Sequence, residues 1–92
     1  MEFEWDERKN LMNKWKHGID FRDAEVVFQS QVLVKIDARK SYGETRYIGY
    51  GRLEGRVVVV VYCYRGTKKR IISLRKANAS EIKTYREKSH LL

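Results

Sequence analysis

Proline is absent from the chain, cysteine occurs once, and no apolar run approaches the length of a membrane-spanning helix. Such a helix needs about 20 apolar residues, whereas the longest apolar run is the segment 57–64. Because Cys63 has no partner within the chain, no internal disulfide can form, and a reducing cytoplasm is expected. The acidic N-terminus lacks the apolar segment of a secretory signal. With no linker, repeat or low-complexity tail, residues 1–92 are expected to form one compact domain without membrane attachment.

Acidic residues are scarce in the second half of the chain. The whole sequence has 20 Lys and Arg residues against 12 Asp and Glu, which gives a net charge of +8. Residues 1–45 contain 8 cations and 9 acids, whereas residues 46–92 contain 12 cations and 3 acids. An even distribution of cations and acids along the chain would indicate no more than solubility. This asymmetry instead favours a positively charged binding surface formed by the second half of the chain.

The cations are densest in the segment 65–76, which holds six of them and no acid. This segment follows the apolar, β-branched run 57–64, which is typical of a buried central strand. A buried strand that leads directly into a cationic strand can present a positive field from a rigid base. A polyanion is therefore the expected partner, and nucleic acid is the commonest one in the cytosol. The alternative is that these cations only deter edge-to-edge pairing of strands.

Helix and strand signals follow an order typical of an α+β fold. Asp6 and Asp20 are good N-caps and Gly18 is a suitable C-cap, which predicts helices over about 6–17 and 21–28. Period-two patterns predict strands at 2–5, 32–36, 45–52, 56–64 and 69–75, and a capping box predicts a last helix over about 78–88. We therefore expect an α+β fold: a small antiparallel β-sheet with helices packed on one face.

The periodicity within these elements predicts which side chains face the core. The first helix has an apolar stripe that is expected to pack inward, formed by Leu11, Met12 and Trp15. Trp15, Trp5 and Phe3 are expected to belong to the core, and the less favoured alternative is that they form a platform for bases. In the strand 69–75, strict alternation puts Lys69 and Arg75 together on one face of the sheet. The same alternation puts Arg70 on the core side, at the rim of the sheet.

No motif for a metal, a nucleotide or a covalent nucleophile stands out in the sequence. The two histidines are far apart, no carboxylate lies at ligand spacing and the glycines are dispersed, so no metal site and no cofactor are expected. Cys63 lies in the most apolar strand and is expected to be an inert core thiol. What remains is metal-free cleavage of RNA, in which the 2′-hydroxyl attacks the neighbouring phosphate. A protein promotes that reaction with a base, an acid and cations.

Several side chains have the chemistry that this reaction needs. His17 titrates in the right range, although a histidine before a helix-terminating glycine can also serve only to complement the helix dipole. The cations that can bind phosphate are Lys14, Lys16, Arg65, Lys69 and Arg75. The tyrosines that can stack on bases, or simply pack within strands, are Tyr47, Tyr50, Tyr62 and Tyr64.

Two blocks of the sequence form a recognisable signature. The first is Phe3-x-Trp5-Asp6-x-x-Lys9-x-x-x-Asn13-x-x-Lys16-His17-Gly18-Ile19-x-Phe21-x-x-Ala24. The second is Tyr42-Gly43-Glu44-x-Arg46, then Arg70-Ile71-Ile72-Ser73-x-Arg75-x-Ala77, then Glu81 and Tyr85. In this order and at this chain length the blocks are fairly specific, and they resemble the BrnT family over nearly the whole chain.

The resemblance implies a toxin of a type II toxin–antitoxin pair, with a fold similar to RelE-type ribonuclease toxins. The implied activity is RNA cleavage that inhibits translation. The implied partners are an RNA substrate and a BrnA-type antitoxin, and operator DNA would be reached only through the ribbon-helix-helix part of that antitoxin. A hetero-oligomer with the antitoxin is expected, because ribbon-helix-helix proteins dimerise.

We therefore expect a metal-independent endoribonuclease toxin that acts in the cytoplasm. The expected catalytic residues are His17, Glu44, Arg70 and Arg75: the arginines neutralise the phosphate, His17 is the acid or the base, and Glu44 is a second candidate base. The expected RNA-binding residues are Lys14, Lys16, Arg46, Arg65 and Lys69. The alternative is a non-enzymatic nucleic-acid-binding or protein-interaction module that uses the same basic surface.

Overall fold

The computed structural model describes residues 2–90, in which three α-helices surround one five-stranded sheet. The strands are β1 (Phe3–Trp5), β2 (Leu33–Ile36), β3 (Tyr47–Leu53), β4 (Arg56–Arg65) and β5 (Lys68–Lys76). The helices are α1 (Glu7–His17), α2 (Ala24–Gln29) and α3 (Ala79–His90), with a turn of 3-10 helix at Phe21–Asp23. The predicted α+β class is confirmed, and each predicted helix and strand is present with bounds shifted by a few residues.

The sheet has the order β1-β5-β4-β3-β2, and β2 to β5 form the predicted antiparallel meander. β1 differs because it pairs parallel to β5, with Phe3 opposite Lys69 and Trp5 opposite Ile71. The prediction of a purely antiparallel sheet is therefore wrong at this edge. The first strand joins the last one across most of the chain, and such a pairing leaves no hairpin signal in the sequence.

One face of the sheet, termed the helix face, is covered by the 3-10 turn and α2. Phe21 and Val27 are fully buried there against Val60 and Leu74 of the sheet. Burial of each such side chain typically stabilises a fold by about 1.5–3 kcal/mol. β4 is buried on both faces over 57–63, as predicted for a central strand.

α2 approaches the sheet closely because β3 has a glycine beneath it. A Cβ on Gly51 would lie 2.8 Å from Val27 Cγ1 and 3.1 Å from Ser30 Oγ. We expect Gly51→Ala to lower the free energy of unfolding by about 1–3 kcal/mol, because the stiff Val27 side chain cannot move without disturbing α2. Chemical denaturation measures the loss. The exposed neighbour provides the control, since Arg52→Ala is expected to change stability by less than about 0.5 kcal/mol; equal stability of both variants would contradict this packing.

α1 lies along the edge of β5, and asparagine side chains make its inward contacts. Asn13 is buried, and its Nδ2 donates to the carbonyl of Leu74 at 2.8 Å and to that of Ile19 at 3.0 Å. Its Oδ1 accepts from the Leu74 N–H at 3.2 Å. Asn10 Oδ1 accepts from the Phe21 N–H at 2.8 Å. A helix that packs beside a strand edge meets unpaired backbone groups, and these groups need polar partners.

The predicted inward packing of the apolar stripe of α1 is therefore wrong. Leu11, Met12 and Trp15 are exposed by 62%, 64% and 85%. The inward side of the helix carries Asn10 and Asn13 instead. Asn10 and Asn13 are three residues apart and therefore lie on one side of the helix. The prediction followed the apolar residues instead, because asparagine is rarely buried.

A β-bulge in β5 decides which side chains share a face. Tyr62 pairs with Ile71 and Val61 pairs with Ser73, so Ile72 is an extra residue in β5. An extra residue reverses the alternation of side chains on the two sides of the bulge. The prediction of faces within this strand assumed no bulge, and it therefore fails from this point onward.

Arg70 and Arg75 consequently lie on the same side of the sheet, because their partners in β4 are an even number of residues apart. Lys69 lies on the helix face, over aromatic rings. The predictions that Lys69 shares a face with Arg75, and that Arg70 points to the core side, are both wrong. We term the side that carries Arg65, Arg70 and Arg75 the arginine face.

α3 packs against the arginine face rather than the helix face. Arg75 forms a bidentate ion pair with Glu81 of α3, and Tyr50 on the same side of the sheet lines a groove together with Glu81. The Tyr85 hydroxyl donates to the carbonyl of Gln31 at 2.7 Å and holds the helix beside β2. The prediction that the helices share one face is thus wrong for α3, because the ion pair anchors its first turn on the other side.

Candidate functional site

Acidic side chains from distant segments pair with the cations of the arginine face. Glu44 accepts from Arg46 Nε and from Arg65 Nη2, both at 3.3 Å. Glu4 accepts from Arg70 Nη1 at 2.6 Å. The cation-rich segment therefore has compensating acids in three dimensions that its own sequence does not contain. Its positive field is weaker than the sequence alone predicted.

Glu44 is not positioned as a base beside Arg75. Arg65 lies six residues along β4 from Val59, the partner of Arg75, and six residues of strand span roughly 20 Å. Burial raises the pKa of Glu44, but the hydrogen bond from Arg46 and the charge of Arg65 outweigh it and hold that pKa below its ordinary value. A carboxylate between two guanidinium groups is a weak base. Its contacts are those of a structural ion pair.

Arg75 is held in a defined orientation. Its Nη1 and Nη2 donate to the two carboxylate oxygens of Glu81 at 2.9 Å each, and Nη1 also donates to the Lys76 carbonyl at 3.2 Å. Glu81 also accepts from the Asn78 N–H at 2.9 Å and so completes the capping box of α3. Within residues 2–90 no hydrogen bond uses the Arg75 Nε–H, so this edge of the guanidinium is open to a ligand. The hydrogen bonds to Glu81 raise the pKa of Arg75, which stays protonated.

His17 lies near this arginine at the end of α1. The Asp6 carboxylate caps the start of the helix, and Gly18 ends it in the left-handed conformation, with φ of 71°. Burial lowers the pKa of His17, and the positive charges of Lys16 and Arg75 lower it further. The imidazole is therefore neutral near pH 7 and can accept a proton.

A groove of about 440 Å³ between α1 and β5 includes His17. β5 contributes Ile72 and Ser73 at the bulge, and α1 contributes outward-facing side chains, which include Arg8, Lys9, Met12, Trp15 and Lys16. The cations of this groove are Arg8, Lys9 and Lys16. In the part of the chain that the structure describes, none of them has a carboxylate within ion-pair distance. Their charge is available to an anion.

Two of the predicted RNA-binding lysines lie outside this groove. Lys14 Nζ is 3.6 Å from Asp20 Oδ2, beside the segment that follows α1. Lys69 Nζ is 3.7 Å from the centre of the Phe28 ring on the helix face, and burial lowers its pKa. Lys16 is the predicted lysine that the groove contains.

The four tyrosines divide between packing and exposure. Tyr62 is buried, and burial raises its pKa to about 12. Tyr47 stacks on Tyr62 with ring centres 5.5 Å apart, and Tyr64 meets both rings edge-on. Three of the tyrosines thus form one aromatic cluster on the helix face, away from His17. Tyr50 lies on the arginine face, where it and Arg75 both pair with Val59 of β4.

Arg39 is a further paired cation that the sequence analysis did not single out. Its Nε and Nη2 donate to the two oxygens of the buried Asp37 carboxylate at 2.8 Å each, and the Tyr42 hydroxyl donates there at 3.0 Å. The side-chain hydrogen bond from Arg39 holds the pKa of Asp37 far below its ordinary value. The sequence offered no more than an Asp-x-Arg spacing in a polar loop.

The described residues bring together one part of the predicted site and separate the rest. Lys16 and His17 lie at the end of α1, beside the part of β5 that carries Arg75: His17 lines one groove with Ser73 and another with Lys76. The other predicted arginines lie farther along the arginine face, namely Arg46, Arg65 and Arg70. No three His, Cys, Asp or Glu side chains of residues 2–89 come together as possible metal ligands. No helix in that range is both long and apolar enough to cross a membrane.

One comparison with known proteins identifies a family. The family model described as “Ribonuclease toxin, BrnT, of type II toxin-antitoxin system” matches residues 5–81. No curated protein matches the chain. The match extends from β1 to the first turn of α3 and includes His17, Arg75 and Glu81. The chain therefore belongs to the BrnT family, the ribonuclease toxins of type II toxin–antitoxin systems.

Proposed function

We propose that this chain is an endoribonuclease that cleaves RNA without a metal ion, by attack of the 2′-hydroxyl on the neighbouring phosphate. RNA supplies the nucleophile, so the protein needs to remove a proton, stabilise negative charge and hold the strand. One observation carries the proposal. His17 has an imidazole that is neutral near pH 7 and lines a groove with Arg8, Lys9 and Lys16. The strand β5 borders this groove at Ser73 and continues to Arg75, whose guanidinium Glu81 holds in place.

His17 acts as the general base in this proposal. It takes the proton of the 2′-hydroxyl while the bond from the 2′-oxygen to phosphorus forms and the bond from phosphorus to the 5′-oxygen breaks. The departing 5′-oxygen takes a proton from water. The products are a 2′,3′-cyclic phosphate and a free 5′-hydroxyl.

Arg75 stabilises the charge that accumulates on the phosphate. Its Nε edge is open, and Glu81 holds the other edge, so the guanidinium can donate to a phosphate oxygen without losing its orientation. Lys16 adds positive charge at the end of the groove that contains His17. Preorganised donors of this kind need little rearrangement during the reaction, which is what makes them effective.

The other predicted cations have an accessory part. Arg46, Arg65 and Arg70 extend the positive arginine face and attract the RNA strand from a distance. Their ion pairs with Glu44 and Glu4 are partly exposed, and such pairs contribute little energy, so they can open to bind phosphate. Lys14 and Lys69 contribute to the overall positive charge rather than to the groove.

RNA cleavage by this protein would inhibit translation, and a BrnA-type antitoxin would neutralise it. We propose that an acidic or apolar segment of the antitoxin covers the positive face and excludes RNA. Operator DNA would be bound by the ribbon-helix-helix part of the antitoxin, in a hetero-oligomer with the toxin. Its compartment would be the cytoplasm, where the RNA substrate is present.

The purified protein is expected to cleave single-stranded RNA in the presence of EDTA and to leave 2′,3′-cyclic phosphate ends. The same strand with a 2′-deoxynucleotide at the cleaved position should remain intact, because it lacks the nucleophile. Arg75→Ala is expected to lower kcat/KM by about 10²- to 10³-fold, the usual loss when one charge-stabilising donor is removed. Mass spectrometry of the ends and single-turnover kinetics measure these outcomes.

Arg86→Ala is the matched control, because it removes the same charge from the exposed side of α3. Its activity is expected to stay within about twofold of the parent, as for a distant exposed cation. Cleavage that EDTA abolishes, or that continues on the 2′-deoxy strand, would contradict the proposed mechanism. Salt-sensitive binding without any cleavage would instead indicate a non-enzymatic nucleic-acid-binding module.

A further inference from the structure

Trp15 is 85% exposed, although tryptophan carries one of the largest apolar surfaces of any side chain. It lies on the outward side of α1. The inward side of that helix is fixed by the hydrogen bonds from Asn13 to Leu74, so the helix cannot rotate to bury the ring without breaking them. Met12, which lines the same groove, is also 64% exposed, and adjoining exposed apolar side chains of this kind indicate a binding surface.

The surroundings of Trp15 indicate what binds there. The ring lines the same groove as His17, and Lys9 and Lys16 line it as well. Neither lysine has a carboxylate within ion-pair distance in the described part of the chain. An aromatic ring among unpaired cations suits a single-stranded nucleic acid, because a base stacks on the ring while the cations contact phosphates.

We propose that Trp15 is a base-stacking platform: an unpaired RNA base lies on its indole ring while the adjacent strand reaches His17 and Arg75. This inference rests on the proposed ribonuclease function of the same groove. Stacking holds the strand beside the His17 imidazole and the Arg75 guanidinium. It also selects single-stranded RNA, because a paired nucleobase leaves its double helix only at a cost in free energy. Purines are preferred at the stacked position, since they offer the larger face.

The charges of the groove favour RNA over a protein as the occupant. Lysine is depleted in the cores of protein interfaces, whereas Lys9 and Lys16 line the same groove as the ring. A protein segment would have to bring acidic groups to both lysines and an apolar group to the ring. A nucleotide supplies a phosphate and an aromatic base in that arrangement by itself.

The test uses a 2′-O-methylated single-stranded RNA, which cannot undergo cleavage by 2′-hydroxyl attack. In the full chain with Trp5→Phe, Trp15 is the one remaining tryptophan, and saturable quenching of its fluorescence is expected on binding. A duplex of the same sequence should quench far less. The affinities are also measured by anisotropy of a labelled RNA with the unmodified chain as reference, so the result does not depend on Trp5→Phe.

Trp15→Ala is expected to raise the Kd for this RNA by about tenfold, and Trp15→Phe by less, because phenylalanine keeps a smaller ring. Leu11→Ala is the matched control. Leu11 is 62% exposed on the same helix but does not line the groove, and its replacement should leave the Kd within about twofold. In cleavage assays Trp15→Ala should raise KM with little change in kcat, and it should weaken the preference for a purine at the stacked position.

An unchanged RNA affinity of Trp15→Ala would overturn the proposal. If that variant instead lost affinity for a purified BrnA-type antitoxin, Trp15 would belong to a protein-docking surface. Quenching by RNA without any cleavage would contradict the ribonuclease proposal and support the stacking platform. Cleavage whose KM is unaffected by Trp15→Ala would support the ribonuclease proposal and contradict the stacking platform.

Discussion

Replacement of His17 by Gln is expected to lower kcat/KM for RNA cleavage by about 10²- to 10⁴-fold, the usual contribution of a positioned acid–base group. Glutamine keeps a polar side chain at the end of α1 but cannot exchange a proton near neutral pH. The loss should appear in kcat as well as in kcat/KM, because proton removal occurs in the chemical step. Single-turnover cleavage of a labelled RNA measures it.

The pH dependence tells whether His17 is the base or the acid. Burial and the charges of Lys16 and Arg75 lower its pKa below the ordinary value of 6.5. A base must be unprotonated, so kcat/KM is expected to rise with pH through that lowered pKa and to be level at neutrality. If His17 were the acid, kcat/KM would fall as the pH rises through the same region.

His17→Gln must remain folded for this comparison, which circular dichroism and its unfolding midpoint establish. Leu11→Ala provides a neutral change on the same helix, because Leu11 is exposed outside the groove. A pH profile of the parent protein without an acidic limb, or a His17→Gln variant that keeps most of the activity, would show that another group removes the proton.

Asn13→Ala is expected to lower the free energy of unfolding by about 2–4 kcal/mol. Asn13 is buried and makes three hydrogen bonds to backbone groups of Ile19 and Leu74. A buried backbone group that loses its partner typically costs about 1–3 kcal/mol, and these losses add only partly. Alanine is intrinsically the better helix former by roughly 0.5 kcal/mol, so intrinsic propensity alone predicts the opposite sign. Urea denaturation measures the difference.

Leu11→Ala is the matched control for Asn13→Ala as well. The two residues lie on opposite sides of α1, and the exposed leucine is expected to contribute less than about 0.5 kcal/mol. An apolar residue would thus matter less than a polar one on the same helix. A larger loss for Leu11→Ala than for Asn13→Ala would mean that α1 packs with the side predicted from hydrophobic periodicity.

The anchoring of α1 also connects stability to the proposed chemistry. His17 follows Asn13 by one helical turn, and Arg75 follows Leu74 directly in β5. The contact between Asn13 and Leu74 therefore sets where His17 stands relative to Arg75. The same contact turns the opposite side of the helix outward, and Trp15 lies on that side.

The secondary structure was largely predictable because its signals are local. Asp6 and Gly18 mark the ends of α1, and the run 57–64 marks a central strand by its composition alone. The pairing of β1 with β5 was not predictable, since it joins the two most distant strands of the chain. Local patterns do not record such long-range contacts.

The candidate site was predictable in part. His17 and Arg75 were identified from their chemistry and from the family resemblance, and the structure places them on adjoining elements, at the end of α1 and in β5. Glu44 had suitable chemistry as well, but it lies between two arginines far along the sheet. Chemistry can be assessed residue by residue, whereas convergence depends on the register of strands.

The amino-acid sequence by itself determined the class of the fold, the order of the helices and strands, the positive charge and the family. These properties depend on composition, local periodicity and short motifs, each of which a linear chain contains in full. Tertiary structure alone decided which side chains share a surface. One extra residue at Ile72 put Arg70 on the side of Arg75 and separated Lys69 from Arg75, because side-chain direction depends on strand register. The unpaired backbone at the edge of β5 drew Asn13 inward and so turned Trp15 outward, because buried polar groups need partners.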